Sequence, residues 1–288
     1  LAVRSNQRAG HAPTAPKNAR GASFECIACR QTLTDDDLTR IAADGGLRDR
    51  LMAIHAEAGG RRYFREPSTI EIAAAENVPP AHGLPNVPLG DANRYVTPPR
   101  FGMTTYDDLF NPRQQLALAT FADMVAGTHD EILSDGGSAE SARAVASMLG
   151  LAVGKMAQYN STLTFMRTHN GPSAATAAFG RADIPMTWDY SETNPFGGVI
   201  GSWDTLVENM LRAVRFMPHG TGRVVRADAR VTDPGRPALI ATDPPYFDAI
   251  GYADLSDFFY GWHRRELRGV HPDLYATMAA PRGGELTA

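Results

Sequence analysis

Residues 238–242 (ALIAT) form an uninterrupted apolar run that stops at Asp243, and no other stretch constrains the fold as much. A run this short, set between turn signals, is typical of a strand buried on both faces, as in parallel sheets covered by helices. The flanks agree. Upstream, Asp204 to Arg215 (DTLVENMLRAVR) has helical periodicity with Ser202 or Asp204 as N-cap, PHGTG reads as a turn and RVVRADAR as a short strand. Downstream, FFYGWHRRELR is helical, so residues 201–288 read as an α/β sheet unit. In open α/β sheets ligands bind beyond the carboxyl ends of strands, which places Asp243-Pro244-Pro245-Tyr246 where a reacting group belongs.

The chain ahead of this unit divides in two. Residues 76–200 begin with a proline-crowded connector (Glu76 to Pro99) and continue into helices. Pro112 to Asp130 carries Leu116, Ala119, Ala122 and Val125 at helical spacing, with Asn111 as N-cap and Pro112 at the first helical position. Ser138 to Arg167, rich in Ala, Leu and Met at three-and-four spacing, predicts a second helix and with it an all-α layer. Residues 1–75 open with an aperiodic lead-in, then place Cys26 and Cys29 two residues apart in FECIACRQ. Thr34 or Asp35 offers an N-cap for a short helix, Gly45-Gly46 a break, and the apolar Leu51, Met52 and Ile54 a strand or second helix. No internal repeat is visible.

A chain that is 43% hydrophobic and 21% charged is neither disordered nor collagen-like. It has no apolar run of the roughly 18 residues that suggest a membrane span, and its first residues lack a signal-peptide core, so the expected location is cytoplasmic, away from membranes. Two cysteines exclude a disulfide-stapled secreted scaffold. The formal charge of -4 shows no basic excess of the kind dedicated DNA-binding domains carry. Yet among the 28 basic residues only Lys17 and Lys155 are lysines. Arginine suits bidentate contacts to phosphate and guanine, and a genome rich in G and C would produce the same bias; both readings stay open.

The tetrapeptide has chemistry of its own. Asp243 can accept hydrogen bonds from an exocyclic amino group, and two successive prolines remove two N–H donors and leave carbonyls as further acceptors. Tyr246 offers a face on which a flipped base can stack. The segment TDPPYFDAIGYADLSDFFYGW resembles the DPPY motif of amino-group methyltransferases that use S-adenosylmethionine. Together with FGMTTYDDLFNPRQQLALATFADMV, AQYNSTL, IPMTWDYSETNPFGG and the CxxC segment, it resembles a prokaryotic family of adenine-specific DNA methylases containing a zinc ribbon, over nearly the whole chain from about Gly21.

The resemblance implies a Rossmann-like S-adenosylmethionine-dependent methyltransferase sheet, incomplete here, with a helical insertion and half a zinc ribbon. It implies DNA as partner and methylation of adenine N6 as activity, with Asp243, Pro244, Pro245 and Tyr246 as target-base residues and the Pro244 carbonyl sharing the amino group with Asp243. Asp228 and Ala229 match the segment that approaches the cofactor's adenine, beside the alternative of a solvated strand end. Cys26 and Cys29 would be half a zinc site, with His11 and His55 as the only other donors nearby. The family's glycine-rich cofactor loop has no counterpart: Gly220-Thr221-Gly222 leads from helix to strand, and Gly136-Gly137-Ser138 lies between helices. The expectation is therefore an internal piece of a longer enzyme. Asn194-Pro195-Phe196-Gly197 departs from the Asn-Pro-Pro-aromatic variant of the motif and reads as a loop. Arg264, Arg265 and Arg268 are either phosphate contacts or a solvated face, and the aromatics around Phe258 read mostly as core. Cytosine N4, RNA or a protein amide would present a similar amino group, and a catalytically silent fragment that binds DNA or a partner is the alternative of another class.

Overall fold

A computed structural model describes residues 23–26, 29–167, 174–217, 220, 222, 224–225, 227–228, 230–243 and 250–282. Within them the chain is mixed α and β, with the strands paired two by two in antiparallel hairpins. Strands β1 (Phe24–Glu25) and β2 (Thr32–Leu33) enclose the cysteine pair and lead into α1 (Asp35–Ala43). Thr34 caps that helix in a reciprocal box with Asp37, satisfying donors that a helix start leaves orphaned. After Gly45-Gly46 the apolar Ile54 opens a strand, not a second helix: β3 (Ile54–Ala58) pairs with β4 (Arg61–Arg65) across Gly59-Gly60. Helix α2 (Thr69–Glu76) follows, capped by Ser68 and Glu71.

The connector runs without helix or strand to short 3-10 turns at Pro98–Phe101 and Asp107–Leu109. Helix α3 (Pro112–Ser134) then starts as its sequence dictates, with the Asn111 side chain accepting from Arg113 and Gln114 N–H and Pro112 in the first turn. Helix α4 (Ala139–Tyr159) starts at the Ser138 cap but ends short of Arg167. The serine and threonines beyond Asn160 turn the chain: Thr162 donates through N–H and hydroxyl to the Leu109 carbonyl at 2.8 and 3.0 Å, and Thr164 Oγ1 donates to Gln158 O at 3.2 Å. Phe165–Arg167 becomes β5, antiparallel to β6 (Ala174–Thr176). Helices α5 (Trp203–Val214) and α6 (Tyr252–Leu267) complete the set.

The core lies where α6 meets α3 and α4. Leu118, Ala122 and Val125 from α3 and Val153 and Met156 from α4 enclose Phe258 and Trp262. Phe110 stacks on Phe258 at 5.3 Å and meets Trp262 edge-on at 5.2 Å. Most of the aromatic segment after the tetrapeptide is core as its spacing predicts, through Phe258, Phe259 and Trp262; Tyr252 is exposed and Tyr260 half-buried.

The sheet does not follow the sequence. Among the described residues there is no Rossmann-like sheet, and the apolar run 238–242 lies in no strand, with Leu239 98% and Ile240 75% exposed. Val224 and Val225 of RVVRADAR are exposed as well. A parallel strand needs a neighbour to take its backbone hydrogen bonds and helices to cover both faces. The described strands all sit upstream in hairpins that leave neither for this segment.

Candidate functional site

Asp243 ends the exposed segment with its side chain in solvent; Pro244, Pro245 and Tyr246 lie outside the described residues. The helix that follows is firmly held. Besides Phe258 and Trp262, α6 is tied down near its start: Tyr106 Oη donates to Asp254 O at 2.8 Å, and Asp257, 3% exposed, accepts from Ala280 N–H at 2.7 Å. Arg282 Nη2 pairs with Asp257 and reaches Asp254 Oδ1 at 3.2 Å. Burial first, then the Asp254 and Asp257 carboxylates, push the Tyr106 hydroxyl above its ordinary pKa, so it remains a donor. Sequence reasoning did not single out this cluster. The available signal was the acid pair three apart in ADLSD amid aromatics; Arg282, 25 residues beyond Asp257, shares no local pattern with it.

Asp228 is engaged locally. Its carboxylate accepts from Arg230 Nε and Nη2 at 2.7–3.1 Å, which holds it below the usual carboxylate range, and Ala229 lies outside the described residues. Asp228 is half-buried and Asp243 exposed. An apolar cleft of about 300 Å³ lies between α4 and α5, lined by Met148, Leu151, Lys155, Tyr159, Leu206 and Met210, with none of the sequence-predicted site residues in it.

The cysteine pair lies on a turn. Cys26 N–H donates to Gln31 O and Arg30 N–H to Cys26 O, both at 2.8 Å, with Arg30 in the left-handed region at φ 63°. This tight turn carries both cysteines, neither of them disulfide-bonded, between β1 and β2. Two thiolates from one turn are half the four donors of a structural zinc site, and among the described residues no group of three or more His, Cys, Asp or Glu could hold a metal. His55 does not join the cysteines in such a group: its ring packs on Phe64 at 4.8 Å, and its buried Nε2 has no hydrogen-bond partner. His11 lies outside the described residues.

Arg265 and the Asn194 loop take structural roles. Arg265 spends its guanidinium on Asp123, at 2.7 Å through both Nε and Nη2, and on the His82 and Gly83 carbonyls, so it stitches α6 to α3 and the connector. Arg268 is exposed and Arg264 half-buried. In the Asn194 loop, Asn194 Oδ1 accepts from Phe196 N–H at 3.0 Å and Pro195 O from Trp203 N–H at 2.8 Å, which fixes the entry to α5. No described helix is long and apolar enough to cross a membrane. Comparison of the chain with protein-family models, with curated proteins and with solved structures finds no match in any of the three.

Proposed function

We propose that this chain belongs to an S-adenosylmethionine-dependent methyltransferase acting on the exocyclic amino group of a DNA base, adenine N6 first. The observation that carries the reading is Asp243-Pro244-Pro245-Tyr246, set between an apolar run and an aromatic helix. S-adenosylmethionine supplies an activated methyl group, so the protein's share is to bind, orient and exclude water. The Asp243 carboxylate accepts from the amino group that is to be methylated, and Tyr246 supplies a stacking face for the extruded base.

One structural feature supports this reading. The flank after the motif is anchored in the core through Phe258 and Trp262, which gives a site the rigid base that positioning chemistry needs. On this reading Val224, Val225, Leu239 and Ile240 would be strand residues of a Rossmann-like sheet, which the described residues do not form. Cys26 and Cys29 would furnish two thiolates to zinc, whose part is structural, holding the β1–β2 turn. No step is assigned to Asp228, whose carboxylate is paired with Arg230.

The test is transfer of tritium from labelled S-adenosylmethionine to unmethylated DNA by the complete gene product, beside its Asp243→Ala variant. Label is expected in N6-methyladenine, and the variant is expected to lose about a hundredfold or more in rate, as when one oriented polar partner of a transition state is removed. Label that persists in the variant removes the role of Asp243. Label in cytosine, RNA or protein alone removes the adenine assignment, and none anywhere favours a silent binding module.

A further inference from the structure

We propose that the tip of the β3–β4 hairpin is an arm that enters a groove of duplex DNA. Pairing across Gly59-Gly60, both in the left-handed region at φ 57° and 71°, makes a tight two-residue turn of the kind that continues the twist of its strands. The base is half-buried from Ile54 to Ala56 and at Phe64 and Arg65, whereas Glu57 to Tyr63 are exposed. Apart from each other, β3 and β4 make no extensive contact with another described helix or strand. The tip is an unsupported two-stranded ribbon, the β element that fits the roughly 12 Å major groove.

Its two faces differ in chemistry. Strand alternation puts Arg62 and Phe64 on one face, where Arg62 Nε pairs with Glu57 Oε2 at 3.0 Å and His55 packs on Phe64. Arg61 and Tyr63 share the other face. There the residues opposite are Ala58 and Ala56, too small to cover them, and Tyr63 is 39% exposed. Arg65 is taken by Glu71, but Arg61 has no ion-pair partner among the described residues. A guanidinium without an ion-pair partner two residues from an open aromatic ring, with the Glu71 carboxylate on that face held by Arg65 at the base of the hairpin, complements a phosphate or guanine edge beside stacked bases. The choice of DNA among polyanions rests on the function proposed above; the surface itself does not.

The experiment measures binding of the full chain to a short fluorescent DNA duplex, to the matching single strand and to heparin, over a range of salt. The Arg61→Ala/Tyr63→Ala variant is expected to bind duplex about tenfold more weakly, with a salt slope lower by about one. Glu57→Gln, which removes a carboxylate from the tip, is expected to tighten duplex binding, and it carries the test should the double variant fail to fold. Unchanged duplex affinity in both variants overturns the arm, and an equal loss on single strand and heparin overturns groove entry. If no methyl label reaches DNA while the tip variants still weaken duplex binding, the function falls and the interface stands. Label in DNA with duplex affinity indifferent to the tip removes the interface alone.

Discussion

Glu266 sits where water does not reach. Its side chain is fully buried, Oε1 lies 2.7 Å from His263 Nδ1, and Oε2 has no partner. Burial pushes its pKa from 4.5 up to about 7 against the opposing pull of the His263 hydrogen bond. The folded pKa exceeds the unfolded one, so the stability this carboxyl contributes is complete below about 4.5 and is lost as pH rises through about 7. The span corresponds to about 3 kcal/mol. Urea denaturation across that pH range is expected to show the wild type losing stability relative to Glu266→Gln, which cannot ionise, as pH rises. A difference that does not change with pH would show that the carboxyl finds a partner when ionised. Asp257 is as deeply buried yet has both Ala280 N–H and Arg282, and that pairing separates the two acids. Their sequence neighbourhoods, both aromatic-rich stretches of one helix, do not.

At the scale of elements, three helix starts are legible because the bonds that make them are local, although α2, with an equally local Ser68–Glu71 box, is not among the elements expected from the sequence. Thr34 with Asp37, Asn111 with Gln114, and Ser138 each start a helix through hydrogen bonds spanning two or three residues, and such bonds are written in the sequence. How two helices approach is less legible. Gly150 and Gly154 let α6 lie against α4: a Cβ on Gly154 would stand 2.6 Å from the His263 ring, and one on Gly150 2.8 Å from Leu267. Alanine is worth about 1 kcal/mol over glycine in a helix interior, whereas overpacking costs about 1–3 kcal/mol, so Gly154→Ala is expected to destabilise the fold by up to about 2 kcal/mol. Gly127 on α3 is the control. A Cβ there meets only the end of the Glu131 side chain at 4.0 Å, and Gly127→Ala is expected to stabilise by up to about 1 kcal/mol. Paired thermal melts decide, and a stabilised Gly154→Ala would contradict the packing.

For the molecule as a whole, the contrast lies between the helical core and the 230–243 segment. Backbone with no ladder and no cover opens to proteases before packed helices do. Brief thermolysin digestion is therefore expected to cut first at the exposed Leu239 and Ile240, with both pieces remaining together on a sizing column because Phe258 and Trp262 hold α6 in the core. First cuts within α3 or α4 would contradict this. The two apolar stretches here show how far a sequence reaches. ALIAT and the aromatics around Phe258 both look buried from their residue types, and the tetrapeptide between them, the cysteine spacing and the helix caps are all readable without coordinates. Burial, however, belongs to a pair of surfaces. Trp262 is buried because Phe110 and helices from a hundred residues upstream close over it, while Leu239 is exposed because no described strand or helix packs on it. Composition sets the tendency to be covered, and only the tertiary arrangement supplies the cover, since the contacts that exclude water are made between residues far apart in the chain.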